Sequence, residues 1–248
     1  MTQLSVNINK IALLRNARGR DYPSVTRFAQ RCLELGAAGI TLHPRPDQRH
    51  ARYADVATLK KVCVEHGAEL NVEGYPTEAF MQTVLAHQPT QCTLVPDAPG
   101  QITSDHGWQV ADNYDLLAKT IAQLKARAIR VSLFVDYDST ELALISELGA
   151  DRVELYTEPY AEAFAQQHNV AASLADFAKA AEQAQQLGLG VNAGHDLNLQ
   201  NLADFLTIPS ILEVSIGHAL TVESLEEGLP SVIAQYKQIL KTASEQPE

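Results

Sequence analysis

The sequence predicts an α/β fold, a (β/α)8 TIM barrel with extra helices, built as a single domain over residues 1–248. Three observations carry that expectation. At 248 residues, 46% hydrophobic and 20% charged, the chain has the size and composition of one large α/β barrel. Short apolar runs return roughly every thirty residues, each followed by an amphipathic stretch, which is strand–helix alternation around a parallel sheet. The junction between units also repeats. Leu35-Gly36-Ala37-Ala38-Gly39-Ile40-Thr41-Leu42 returns as Leu148-Gly149-Ala150-Asp151-Arg152-Val153-Glu154-Leu155 and, more loosely, as Leu187-Gly188-Leu189-Gly190-Val191. Each is a helix end, a glycine stop, a tight turn and a short strand. The competing architecture is an open doubly wound sheet, and no Gly-x-Gly-x-x-Gly follows the first strand to support it.

Taken in order, Leu4 to Ile8 alternates as the first strand and runs out in polar Asn7 and Asn9. Asp21-Tyr22-Pro23-Ser24 starts a helix whose apolar positions Val25, Phe28, Ala29, Cys32 and Leu33 share one face, and Gly36 stops it. The second strand is Gly39–Leu42, and Val56, Leu59 and Cys63 mark the helix after it. Glu69–Val72 is the third strand, ending at Glu73-Gly74, and Pro76-Thr77 opens a helix through Phe80, Val84 and Leu85. Gln91 to Val95 is the fourth strand, closed by Pro96. The loop from Asp97 to about Val110 is long for a barrel and is the candidate lid. A helix at Leu116–Ala126 precedes the fifth strand, Arg130–Val135, and another near Glu141–Leu148 precedes the sixth, Arg152–Leu155. Glu158 to Asn169 is polar with room for a short extra element. Ala171–Leu187 is an alanine-rich helix, Gly190-Val191-Asn192 the seventh strand, Leu199–Leu206 a short helix and Leu212–Ser215 the eighth strand. Val232–Leu240 is a final amphipathic helix, and residues 242–248 are expected to fray.

A net charge of −11 opposes binding to nucleic acid or an anionic membrane, so an anionic substrate would need local arginines. No apolar run of ~18 residues is present to span a bilayer, and no signal peptide is visible, so a cytoplasmic location is expected. Cys32, Cys63 and Cys92 are odd in number and lie inside apolar patterns, which reads as reduced core thiols.

In a barrel, chemistry sits at the C-terminal ends of the strands. There this sequence places Asn7 and Asn9, then His43 and Arg45, Glu73, Glu154, His195, and Gly217-His218. Pro44 and Pro46 stiffen the run His43-Pro44-Arg45-Pro46-Asp47-Gln48-Arg49-His50 and hold His43 and Arg45 extended. Glu73 suits a general acid or base if burial raises its pKa, and equally a solvated residue at a helix entrance. Glu154, inside Val153-Glu154-Leu155, points into the barrel and needs either a role or an ion-pair partner. The two Gly-His pairs, Gly194-His195 and Gly217-His218, suit backbone approach to an anion, the alternative being two tight turns. Arg15-Asn16-Ala17-Arg18-Gly19-Arg20 reads as a loop of three guanidiniums, for phosphate or for a subunit contact. His43-Pro44-Arg45 is not the His-x-His of metal-dependent barrels, and no metal is expected.

Together these stretches resemble the pyridoxine 5′-phosphate synthase family along nearly the whole chain. The carriers are Asn7 with Leu14-Arg15-Asn16-Ala17-Arg18-Gly19, Gly39 to Arg45 with Arg49-His50, Asn71-Val72-Glu73, Leu94-Val95-Pro96, Val131-Ser132-Leu133-Phe134, Val191 to His195, and Ile216-Gly217-His218-Ala219. The resemblance implies a barrel enzyme that condenses 3-amino-2-oxopropyl phosphate with 1-deoxy-D-xylulose 5-phosphate into pyridoxine 5′-phosphate, phosphate and water, without cofactor or metal. It implies a homo-octamer assembled as a tetramer of dimers. By position, His43 and Glu73 match proton acceptors, His195 a proton donor and Glu154 a transition-state stabiliser. Asn7, Arg18, Gly217 and His218 match contacts to the aminoketone phosphate, and Arg45, His50 and Thr103 contacts to the pentulose phosphate; Asp196 could bind through its backbone N–H. Two positions depart from the common pattern: Asn9-Lys10 where many members have Asp-His, and Asp196 where a glycine is common. The rival readings are another phosphosugar aldolase or isomerase, with Lys10 as the one obvious Schiff-base lysine, and a non-catalytic phosphometabolite-binding barrel.

Overall fold

The computed structural model describes residues 1–97, 100–101 and 103–245. Eight parallel strands close in sequence order into a barrel: β1 (Gln3–Asn7), β2 (Gly39–Leu42), β3 (Glu69–Gly74), β4 (Gln91–Leu94), β5 (Arg130–Val135), β6 (Arg152–Tyr156), β7 (Gly190–Gly194) and β8 (Ile211–Ile216), with β8 pairing back onto β1. The helices around it are α1 (Asn9–Asn16), α2 (Val25–Glu34), α3 (Tyr53–Glu65), α4 (Glu78–His87), α5 (Tyr114–Lys125), α6 (Leu142–Glu147), α7 (Glu158–Ala165), α8 (Val170–Gln186), α9 (Leu202–Phe205), α10 (His218–Glu227) and α11 (Leu229–Ser244). Each expected strand is present, and the short extra element between Glu158 and Asn169 is α7.

The repeated junction works as its residues suggest. Gly36, Gly149 and Gly188 take positive φ where the helix stops, and the next strand begins within three residues. Side chains that alternate outward from the strands, such as Ile40, Leu42, Leu70, Val72, Leu133 and Val153, are buried with the helices in one continuous apolar core. The inward set is largely polar. Ser5 and Thr41 hydroxyls lie 2.7 Å apart, Thr93 Oγ1 donates to Asn71 Oδ1 at 3.1 Å, and Asn192 Nδ2 donates to Gln91 Oε1 at 3.3 Å. The last of these joins strands that are not neighbours, so it crosses the barrel interior.

Three expectations need correction. The run Arg15 to Arg20 is not one loop: Arg15 and Asn16 end α1, and Arg15 is buried against Asp55 at 2.6 Å rather than offered to an anion. The stretch after β8 holds a full helix, α10, which its pattern did not announce because few of its residues, Leu220 and Thr221 among them, are buried. Thr242 to Ser244 continue α11, so fraying does not begin at 242; residues 246–248 lie outside those described. Of the proposed lid, residues 98, 99 and 102 also lie outside the described residues. Its later part is anchored, with Trp108 Nε1 donating to the Leu94 carbonyl at 2.8 Å and Gly107 N to Asp136 Oδ2 at 3.0 Å. The three cysteines are free and buried, and burial pushes Cys32 and Cys63 up to about 12, which keeps them as thiols.

Candidate active site

A cavity of about 570 Å³ opens at the C-terminal ends of the strands. Its wall on the β2 side begins with His43. The backbone N–H of His43 donates to Asn9 Oδ1 at 3.0 Å, and Asn9 N donates to Asn7 Oδ1 at 3.0 Å, so the start of α1 fixes the end of β2. The ring of His43 has Nδ1 4.0 Å from Glu73 Oε2 and Nε2 3.5 Å from Asp97 Oδ2. Burial first, then the charges of Arg45, His50 and Arg49, hold His43 well below the ordinary histidine range. These are therefore contacts of a neutral imidazole with an open acceptor nitrogen, not ion pairs.

Glu73, near the end of β3, is in the opposite condition. Burial pushes its carboxyl up to about 8, the nearby Glu213 and Asp97 reinforce the rise, and Arg45 opposes it. At neutral pH it keeps its proton. Asn7 Nδ2 reaches it at 3.5 Å. Glu154, on β6, is raised well above its ordinary value by burial and by Glu73 and Glu213, and its Oε2 lies 3.3 Å from the Thr93 hydroxyl oxygen. Gly194 explains how that carboxyl fits: a Cβ there would sit on Glu154 Oε1. The glycine is a matter of close approach.

Arg45 is buried and already engaged, with Nη2 2.6 Å from Asp97 Oδ2 and Nη1 donating to the Gln101 carbonyl at 3.1 Å. Asp97 also accepts from Ser104 at 3.0 Å, and its Oδ1 is buried without a hydrogen-bond partner among the described residues. Sequence reading passed over Asp97 and Ser104. Both lie in a loop without periodicity, and only the fold brings them under β2. His50 sits edge-on to His43 with ring centroids 6.4 Å apart, and burial together with Arg45 and Arg49 lowers it to about 4.

On the far wall, His195 follows β7. Its Nδ1 is 2.8 Å from Asp196 Oδ2, its Nε2 is 3.0 Å from Thr103 Oγ1, and the Tyr156 ring meets it edge-on at 5.1 Å. Gly217 is the N-cap of α10 and His218 its first residue, so that helix points its free N–H groups at the cavity. A side chain at Gly217 would press Asn7 Cβ at 2.9 Å.

Asn7, His43, Arg45, His50, Glu73 and Thr103 thus meet Glu154, His195, Asp196, Gly217 and His218 around one space. Lys10 lines it too, from an exposed position on α1. Arg18 does not line it, being exposed in the turn after α1. A second cavity of about 680 Å³ lies outside the barrel between α6, α8 and the loop that follows β5. Among the described residues no group of three or more His, Cys, Asp and Glu side chains is placed to hold a metal ion, and no helix is long and apolar enough to cross a membrane.

The family model described as "Pyridoxal phosphate biosynthesis protein PdxJ" matches residues 4–242. Curated relatives called pyridoxine 5′-phosphate synthase include one from Parabacteroides distasonis, 52% identical over 98% of this chain and 100% of its own length. Another, from Xanthomonas axonopodis pv. citri, is 51% identical over 97% of each. Among solved structures, thiamine phosphate pyrophosphorylase from Pyrococcus furiosus superposes with a TM-score of 0.65 at 16% identity, covering 97% of this chain and 96% of that one. The tryptophan synthase α-subunit of the same organism gives 0.59 at 13%, covering 94% and 96%. At such identities these structures share the barrel alone.

Proposed function

Because the chain belongs to the PdxJ family of pyridoxal phosphate biosynthesis proteins, and is a biosynthetic enzyme by that membership, we propose that it is a pyridoxine 5′-phosphate synthase joining 3-amino-2-oxopropyl phosphate to 1-deoxy-D-xylulose 5-phosphate, with release of phosphate and water. The observation that supports this chemistry best is the pair His43 and Glu73. One is a neutral imidazole and the other a protonated carboxyl, 4.0 Å apart in one buried cavity. Joining an amine to a ketone and closing a ring needs protons taken from carbon and nitrogen and returned to leaving oxygens. His43 is poised to take one and Glu73 to give one, after which Glu73 becomes an acceptor. His195 serves as donor on the opposite wall, and Glu154, protonated at the cavity floor, supplies a hydrogen bond as charge builds on substrate oxygen.

Two anion regions face each other. Arg45, His50 and Thr103 take the pentulose phosphate, with Asp97 yielding Arg45 as the phosphate arrives. The N-terminus of α10 with Gly217 and His218, the backbone N–H of Asp196, and Asn7 take the aminoketone phosphate. Arg18 joins them only if the turn at 17–24 folds over the mouth. The working form in this reading is a cytoplasmic homo-octamer, a tetramer of dimers, needing no cofactor or metal. Sedimentation velocity would check the assembly, and unchanged turnover in chelator the last point. The deciding experiment incubates the purified protein with both phosphates and follows pyridoxine 5′-phosphate by absorbance. Formation of the product supports the reading. Binding of both substrates without product would make the chain a phosphometabolite-binding barrel, and borohydride trapping of Lys10 would make it an aldolase.

A further inference from the structure

We propose that Asp196 is a positioning residue for His195, fixing the imidazole with Nδ1–H toward the carboxylate and Nε2 toward the cavity. The inference rests on the reading of His195 as a proton donor. It starts from geometry. Asp196 Oδ2 lies 2.8 Å from His195 Nδ1, and on the other side Thr103 Oγ1 lies 3.0 Å from Nε2. With Nδ1–H given to the carboxylate, the ring takes up a proton at Nε2 and, as an imidazolium steadied by Asp196, hands it to whatever occupies the cavity. The Thr103 hydroxyl can donate to that nitrogen until substrate displaces it.

The backbone supports the same conclusion. His195 and Asp196 take φ of 94° and 59°, a region that disfavours any side chain, and glycine would relax there. The chain nevertheless carries two side chains and braces them. Thr157 Oγ1 lies 2.9 Å from the Gly194 carbonyl and 2.5 Å from the His195 carbonyl, sharing its one proton between them, and Asn201 Nδ2 donates to the Asp196 carbonyl at 3.2 Å. A strained, braced pair aimed at a cavity is what a fixed ring orientation requires. The surroundings keep the carboxylate charged: the hydrogen bond from His195 holds Asp196 below its ordinary value, with help from His218 of α10 and Lys10 of α1. Lys10, which lines the same cavity, is thus the smallest of the influences that keep Asp196 charged.

The test uses the full-length enzyme with ¹⁵N-labelled histidine, His195 assigned by comparison with His195→Gln. In the wild type the ring is expected as the Nδ1–H form. In Asp196→Gly that preference is lost, and kcat falls about tenfold with KM within about twofold. Asp196→Asn, which keeps an acceptor for Nδ1–H without the charge, retains the tautomer and recovers part of kcat. The same ring tautomer in the folded Asp196→Gly protein as in the wild type would overturn the proposal. So would a lost preference with kcat unchanged. The ring spectrum is recorded without substrate, so a wild type that makes no product would refute the assigned reaction separately from the pairing.

Discussion

The two poles of the barrel bury charge in opposite ways. At the N-terminal pole guanidiniums stand among the carboxylates. Arg130 holds Glu69 and lies 3.8 Å from Glu213, and Arg152 lies 3.6 Å from the same carboxylate. Gln91 Oε1 accepts from Arg130 Nε at 2.8 Å and Asn192 Oδ1 from Arg152 Nη1 at 3.0 Å. At the C-terminal pole Glu73 and Glu154 face one another, and the nearby arginine, Arg45, is held by Asp97. The carboxyls respond in graded fashion. Glu69, hydrogen-bonded to Arg130, is held below its ordinary value. Glu213 has two guanidiniums nearby, both beyond hydrogen-bond reach, and burial still lifts it to about 7. Glu73, with Arg45 alone opposing the rise, reaches about 8, and Glu154 is raised well above its ordinary value. Burial alone therefore does not separate a structural carboxylate from a reactive one: Glu213 and Glu73 are both buried and both raised, but two arginines stand beside Glu213 and the open cavity stands beside Glu73.

The comparison breaks first on turnover. Glu73→Gln and His43→Ala should each lose about 10³-fold in rate of product formation while remaining folded by far-UV circular dichroism. Loss of less than about tenfold in both would mean that the mouth is no more reactive than the base. Arg152→Ala probes the other pole. It strips Glu213 of its nearer guanidinium and should cost roughly 3 kcal/mol in urea unfolding, with turnover of the folded fraction unchanged. Replacing both partners together, Arg152→Met with Glu213→Leu, should recover much of that loss, because no buried charge is then left alone.

The same contrast explains what could be read from the sequence. The barrel was legible because each glycine-stopped junction is a local event, and the reactive side chains because they follow strand ends. The distinction between Glu154 and Glu213 was not. Both sit in short apolar strand contexts, Val153-Glu154-Leu155 and Leu212-Glu213-Val214, so an arginine partner could be expected for Glu154. Closure of the barrel gives the arginines to Glu213 and leaves Glu154 beneath the cavity. Arg15 was misplaced for a related reason. A run of arginines looks like one patch until a helical register turns the first of them inward onto Asp55. Asp97 carried no signal at all, since its partner Arg45 lies 52 residues earlier in an unrelated loop.

A smaller effect sharpens the contrast through its sign. Glu73 has a folded pKa near 8, above its unfolded value of about 4.5, so between those values the folded protein binds more protons than the unfolded one. The stability it contributes is complete below about pH 4.5 and is lost as pH rises through 8. Glutamine carries no such dependence. Glu73→Gln should therefore match the wild type near pH 4 and become progressively more stable than it as pH rises through 8, by several kcal/mol, since Gln removes both the buried charge and its repulsion with Glu213 and Asp97. Glu69 predicts the reverse: its folded pKa is depressed by Arg130, so its contribution is present above the unfolded value and disappears on acidification. Glu69→Gln should cost stability at neutral pH and nothing once both states are protonated. Melting curves of the two variants across that range should diverge from the wild type in opposite directions, and parallel curves would mean that the two poles bury their carboxyls alike.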